Sequence, residues 1–400
     1  MPPLTPEQLL VEIQGASNPL IVQDLDGVCM DLVKDPLTRS LDRRYVEAAA
    51  QMRGRFVVLT NGEHEGKRGV NRLVEAALDN VDRAKQEGLY LPGLAAGGVQ
   101  LQDHRGALSH PGVSAAEMDF LAALPARMEA ELQDRLPALL PELSPEQLQG
   151  AIQQAVLDTQ VSPTINLNGL FGYCSDDVAL QRHLQLMLQE LMDALLTLAE
   201  QAGLGTSFFL HVAPNLGRDA EGRERLKPAE SGDVGSTDIQ FMLRGAIKEA
   251  GLLVLINRHI AARSGQAPLG DDFNVRNAPR DHHALLNLCI DAIPADQMPT
   301  LIGVGDTVTS TARADGQGWL RGGSDRGFLT LLQELGQHYG KTNRVVLVDS
   351  SGGEVDRPSL ADGSLTGITD PEDPLHFDVV MPGGPKQYVD WFQQLARTSH

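Results

Sequence analysis

The sequence predicts an α/β protein, a doubly wound, Rossmann-like parallel sheet interrupted by an inserted α/β cap. Three observations carry that expectation. Short, nearly continuous apolar runs end abruptly in polar residues at four places; a helical pattern separates the first two runs; and the middle of the chain shifts to helical sequence rich in Leu, Ala, Gln and Glu. A run that is apolar throughout, rather than at alternate positions, reads as a strand buried on both faces, as in a parallel sheet covered by helices. At 400 residues the chain also exceeds the usual size of one domain.

The elements follow in order. Pro19-Leu20-Ile21-Val22-Gln23 leads into Asp24, and Arg55-Phe56-Val57-Val58-Leu59 leads into Thr60. A helical pattern from Leu41 to Met52 lies between them and makes a βαβ unit. Thr300 to Gly305 leads into Asp306, and Arg344 to Val348 into Asp349. In open α/β sheets ligands bind beyond the carboxyl ends of the strands, where these polar residues fall. Between about 115 and 205, helices dominate. Ser144-Pro145-Glu146-Gln147 carries an N-cap, a first-turn proline and a capping-box glutamine. Asp176 to Ala202 has leucines at helical spacing and stops at Gly203. Ser207 to Val212 reads as a strand, and further helices are expected over Thr237 to Ala262, Asp281 to Ile293, Asp325 to Gly336 and Lys386 to Ala396. Ser351 to Asp373, rich in Gly, Pro, Asp and Ser, reads as a long loop. The expected organisation is a core of residues 1–114 and 236–400 with a cap inserted at 115–235.

The charge balance bounds the partners. With 53 acidic against 33 basic residues the formal net charge is −20, which disfavours nucleic acid and anionic lipid. No apolar run is long enough to span a membrane. Cys29, Cys174 and Cys289 are widely spaced and odd in number, which suits a reducing compartment. With no basic leader and apolar stretch at the N-terminus, the expectation is a cytoplasmic protein.

The chemistry concentrates at the strand ends. In Asp24-Leu25-Asp26-Gly27 two carboxylates lie two residues apart where a strand breaks into a loop. Asp24 can attack phosphorus, while Asp26 protonates the departing oxygen and later activates water. Carboxylate and phosphate repel each other, so the pairing calls for a divalent cation, with magnesium's preference for oxygen ligands fitting best. Thr60-Asn61-Gly62 offers a hydroxyl and backbone N–H groups to phosphoryl oxygens, though Asn-Gly is also ordinary turn sequence. Gly303-Val304-Gly305-Asp306 brings a further metal carboxylate, and Asp325 either ligates metal or caps the next helix. A cation must offset the charge of the transferring phosphoryl group. Lys248 is the choice, with Lys67 and Lys227 as rivals. A non-catalytic relative would have lost Asp24, Asp26 or Asp306; all three are present.

Taken in order, Asp24-Leu25-Asp26-Gly27, Thr60, Lys248 and Asp306 resemble the four motifs of the haloacid-dehalogenase superfamily, and the insert resembles its C2-type cap. Longer segments, LIVQDLDGVCMDLVKDPL, VLTNGEHEGKRGV, EGLYLPGLAAGGVQ, HVAPNLGRD, STDIQFMLRGAIKEAG and IGVGDTVTS, with RGGSDRGFL and MPGG beyond, are similar to the glucosylglycerol 3-phosphate phosphatase family. The resemblance implies hydrolysis of 2-O-glucosylglycerol 3-phosphate, a step of osmolyte synthesis under salt stress. It also implies an aspartyl-phosphate intermediate, Mg2+ held by Asp24, Asp26 (through its backbone carbonyl) and Asp306, with Asp325 a candidate further ligand, and a functional link to glucosylglycerol-phosphate synthase. Phosphatases for sucrose, trehalose or glucosylglycerate phosphate are the alternatives. One departure stands out. Relatives with this cap often carry Asn and Asp where this chain has Thr309 and Ser310, weaker anchors for a metal site. Candidate substrate contacts are Asn61, Gly62, Glu63, His64 and Lys67 after the second strand, and Asn215 and Arg218 where the cap returns to the core.

Overall fold

The computed structural model describes residues 3–313 and 315–398. An eight-stranded sheet forms the core, in the order Val379–Met381, Arg344–Val348, Thr300–Gly305, Pro19–Gln23, Phe56–Leu59, Gly93–Ala95, Gln100–Gln102 and Leu108–Ser109. The first six run parallel, and each of the last two pairs antiparallel with the strand before it. The continuous apolar runs follow from burial on both faces. Ile21, Val58, Ile302, Val346 and Val348 pack with Tyr45, Phe56, Tyr388 and Phe392 on one side. Leu20, Val22, Leu301, Val345 and Leu347 pack on the other with Leu252, Leu329 and Leu332. Each such side chain, essentially sealed from water, contributes about 1.5–3 kcal/mol relative to an exposed one. The helices Arg43–Gln51, His282–Ala292, Arg326–Tyr339 and Gly384–Arg397 lie where the sequence pattern expects them. No helix or strand occupies 351–373.

A second, antiparallel sheet orders Val156–Leu157, Thr164–Asn166, Asp238–Leu243 and Phe208–Ala213. The helices Ala115–Leu139, Pro145–Ala155 and Val178–Gln201 cover one of its faces. Ser144 makes the expected capping box with Gln147. Here the strands alternate. Ile165, Val212, Ile239 and Phe241 enter the apolar core, whereas Thr164, Asn166, His211, Asp238 and Gln240 line a chamber facing the parallel sheet.

The helix expected over Thr237 to Ala262 is corrected by the structure. Asp238–Leu243 is a strand of this second sheet, beyond the limit of 235 set for the cap, and the helix is Lys248–Ser264. The apolar residues that follow at helical spacing mask the alternation Asp-Ile-Gln-Phe, and the Gly245 turn separates the two elements. Among the described residues no helix is long and apolar enough to cross a membrane.

Candidate functional site

The site grows from the ends of the two central strands. Gln23 closes the first; its buried amide donates to the Tyr45 hydroxyl (2.8 Å) and accepts from that of Tyr388 (2.6 Å), which fixes the strand end. Asp24 follows, its backbone N–H donating to the Val304 carbonyl of the neighbouring strand, which itself runs on to Asp306. Two glycines make room for the carboxylates. Gly27 has φ +76°, and a Cβ there would stand 2.2 Å from Oδ2 of Asp306. A Cβ on Gly305 would lie 2.7 Å from Oδ2 of Asp325.

Lys248 opens its helix with its ammonium sealed in the interior, donating to Oδ2 of Asp24 and Oδ1 of Asp325, both at 2.6 Å. The other oxygen of Asp325 accepts the backbone N–H groups of Asp306 and Thr307. Asp325 stands at the N-cap position of Arg326–Tyr339 yet makes no capping bond, and its carboxylate faces the cluster instead.

Carboxylate oxygens of Asp24, Asp306 and Asp325 lie within 4.8 Å of one another, all three residues buried. Both oxygens of Asp306 are buried without a hydrogen-bond partner. Burial, then the charge of Asp325, pushes the Asp306 carboxyl up to about 7. Burial likewise raises Asp24, against the opposing pull of Lys248. Burial would lower the Lys248 pKa, but Asp24 and Asp325 outweigh it and hold the ammonium charged. Three crowded hard-oxygen donors, one unsatisfied at both atoms, fit a divalent cation. Asp26 lies apart from this group; its side chain is paired with Arg39 at 2.9 Å.

The second strand delivers Thr60 and Asn61. The Thr60 hydroxyl accepts the Gly62 N–H (3.3 Å), and both line the chamber with Asp24 and Asp26. Asn61 meets the ring of His211 at 3.1 Å, and the far side of that ring pairs with Glu224 at 2.8 Å. Glu63 reaches across to the cap. One oxygen accepts the backbone N–H groups of Val161 and Ser162 and the Ser162 hydroxyl; the other accepts the N–H of Gln160.

Four candidate contacts sit elsewhere. His64 is buried behind the loop against Gln102, and burial pushes its imidazole down to about 4. Lys67 is largely solvated and pairs with Asp158. Asn215 spends its amide on Val212, Glu224 and Gly217 in a tight turn. Arg218, nearly half exposed, stands 3.8 Å from Glu224. Both line a smaller cavity beside Lys248, not the chamber that holds Asp24 and Asp26. Lys227, a rival to Lys248, pairs with Asp233.

Sequence reasoning missed the arginines and the cap strand that complete the chamber, whose volume is about 220 Å3. Arg39, Arg68 and Arg357 line it, as do Asn166, Asp238 and Gln240. The Arg357 Nε and Gln240 Oε1 are buried without partners. A single signal was available, the alternation Asp238-Ile239-Gln240-Phe241, which places polar side chains on one face.

A parallel sheet whose carboxyl edge carries the Asp24–Asp26 loop and a buried carboxylate–lysine cluster holds the groups that phosphate-ester chemistry needs. The chain matches the family described as glucosylglycerol-phosphate phosphatase over residues 18–396. It is 50% identical over 391 residues to the glucosylglycerol-phosphate phosphatase of Synechocystis sp., covering 95% of this chain and 93% of that protein. The protein belongs to the glucosylglycerol-phosphate phosphatase family. Solved structures aligned along the chain include the Aspergillus fumigatus trehalose-6-phosphate phosphatase, at 10% identity, TM-score 0.40 and 99% of each chain. The Candida albicans trehalose-6-phosphate phosphatase C-terminal domain aligns at 11% identity and TM-score 0.43, over 99% of this chain and 98% of that one.

Proposed function

We propose that this phosphatase hydrolyses 2-O-glucosylglycerol 3-phosphate to glucosylglycerol and phosphate through an aspartyl phosphate on Asp24. The observation that carries the reading is the buried cluster in which Lys248 bridges Asp24 and Asp325 beside the unsatisfied Asp306. Asp24 attacks phosphorus in line while Asp26 gives a proton to the departing glycerol oxygen. Water, deprotonated by Asp26, then cleaves the acyl phosphate. Thr60, the N–H groups after it and Lys248 hold the phosphoryl oxygens. Mg2+, held by Asp24, Asp306, Asp325 and the Asp26 carbonyl, would supply charge neutralisation between carboxylate and phosphate. The polar face of the cap sheet, Asn166, Asp238 and Gln240, suits sugar hydroxyls above that centre. The setting is compatible-solute synthesis in the cytoplasm, downstream of a glucosylglycerol-phosphate synthase.

The test is phosphate release from glucosylglycerol 3-phosphate, sucrose 6-phosphate and trehalose 6-phosphate, each with Mg2+ and with EDTA. Metal-dependent release from the first ester alone is expected, and Asp24→Asn should abolish it with the fold intact. Equal turnover of another ester would overturn the specificity; wild-type activity of Asp24→Asn would overturn the nucleophile.

A further inference from the structure

Arg39 lies on the short segment that follows the nucleophile loop, and its side chain is 9% exposed. Its guanidinium is fixed on three sides. Nη1 donates to both carboxylate oxygens of Asp26, at 3.0 and 2.9 Å; Nε donates to the Pro36 carbonyl at 3.1 Å; Nη2 donates to the Arg68 carbonyl. The group also borders the phosphate-holding loop. A Cβ built on Gly62 would stand 3.7 Å from Oδ2 of Asp26, 3.7 Å from the Thr60 hydroxyl and 3.8 Å from Nη1 of Arg39. Asp26, Thr60 and Arg39 therefore converge on one small volume at the chamber wall. Lys248 is bonded instead to Asp24 and Asp325.

We infer that Arg39 is a positioning residue for the leaving-group half of the reaction, acting through Asp26. The inference rests on the reading of Asp26 as the acid. In the first step the bond from phosphorus to the alcohol oxygen breaks, the bond to an Asp24 oxygen forms, and the Asp26 proton goes to the alcohol. Arg39 exchanges nothing. It holds the Asp26 carboxyl in one orientation and meets the carboxylate left behind with Nη1 against both oxygens, while Nε and Nη2, bonded to the Pro36 and Arg68 carbonyls, keep that nitrogen in place, an anchorage that a single ammonium nitrogen lacks. Three fixed partners preset its position, so little rotamer freedom is lost when substrate arrives.

The discriminating property is the leaving group. An alcohol must leave protonated, whereas p-nitrophenolate departs unaided. With enzyme in excess, the rate of leaving-group release in a single turnover isolates the first step. For Arg39→Gln that rate should fall about a hundredfold on glucosylglycerol 3-phosphate, the lower end of what general acid catalysis contributes. On p-nitrophenyl phosphate it should change less than about threefold, and half-saturation should move little on either ester. Arg39→Lys should recover part of the loss. Asp26→Asn should show the same ester-selective pattern, and the double variant should be no slower than Asp26→Asn alone. Equal losses on both esters for Arg39→Gln, or losses that multiply in the double variant, would overturn the role of Arg39 while leaving Asp26 as the acid. Equal losses for Asp26→Asn would overturn the acid assignment itself.

Discussion

Glu63 joins the phosphate-holding loop to the cap, and its removal has a cost that the structure allows to be worked out. Its carboxylate accepts four hydrogen bonds at 2.8–2.9 Å, three of them from consecutive backbone N–H groups of the cap. A hydrogen bond to a charged group contributes about 1.5–3 kcal/mol net, and each buried donor left unpaired costs about 1–3 kcal/mol. Against this stands desolvation, the leading cause of the raised Glu63 pKa, which any neutral replacement recovers. Glu63→Gln can keep one carbonyl oxygen on Val161, Ser162 and the Ser162 hydroxyl, and forfeits the bond to Gln160. About 1 kcal/mol of destabilisation follows. Glu63→Ala strands all four donors, and after the recovered desolvation about 3 kcal/mol remains. Urea unfolding of the three proteins reads the global values. Amide exchange at Gln160, Val161 and Ser162 reads the local one, and Ala should accelerate exchange there roughly thirtyfold more than Gln does. Equal stability and equal exchange in wild type and Glu63→Ala would refute the reasoning, because the carboxylate would then not be holding the cap segment at all.

Three further outcomes are expected. Lys248→Met leaves three buried carboxylates without their cation, so turnover should fall at least about a thousandfold and stability by about 3–5 kcal/mol, with part of the stability restored by added Mg2+ in calorimetry. Asp306→Asn should weaken divalent-cation binding at least about tenfold by titration calorimetry, since even changes behind metal ligands cost that much. His64, held down to about 4 by burial against an ordinary value of 6.5, takes up its proton more readily unfolded than folded. Its contribution is therefore intact above pH 6.5 and is lost as pH falls from 6.5 toward 4, at up to about 1.4 kcal/mol per pH unit. A His64→Gln variant should show a shallower decline in unfolding free energy across that window.

What the sequence made legible followed from chain-local causes. The strand ends carrying Asp24, Thr60 and Asp306 were readable because burial on both faces forces continuous apolar runs, and because a carboxylate next to a glycine marks a close approach. Gly27 and Gly305 do sit where a Cβ would strike Asp306 and Asp325. Lys248 was readable only by its place in a motif; nothing local distinguishes a lysine that enters the interior from one in solvent. Tertiary pairing hid the rest. The strand Asp238–Leu243 forms through partners at Thr164–Asn166 and Phe208–Ala213, distant in sequence, and its alternation is overrun by the helix that begins five residues later. Arg39 announces itself only through Asp26 and Arg68, which folding brings beside it. Glu63 and His64 are adjacent, yet one faces the cap and the other the interior, a division the sequence gives no means of drawing.

The charge distribution ties the site to the whole molecule. A net charge of −20 repels a sugar phosphate at long range, and screening by salt shortens that repulsion to about 8 Å at physiological ionic strength. Within that distance the chamber is differently composed. Arg39, Arg68 and Arg357 line it, and Lys248 stands behind Asp24. Two cations are already bonded to the carboxylates proposed for the chemistry, Lys248 to Asp24 and Arg39 to Asp26. Asp306, with no hydrogen-bond partner at either oxygen, is left as the strongest draw for a divalent cation. Once that cation binds, the local excess of carboxylates is offset and the phosphoryl group meets less repulsion. Metal should therefore precede substrate, with phosphate-ester affinity rising in step with occupancy of the Asp306 site, while the acidic exterior keeps the protein dispersed at high salt.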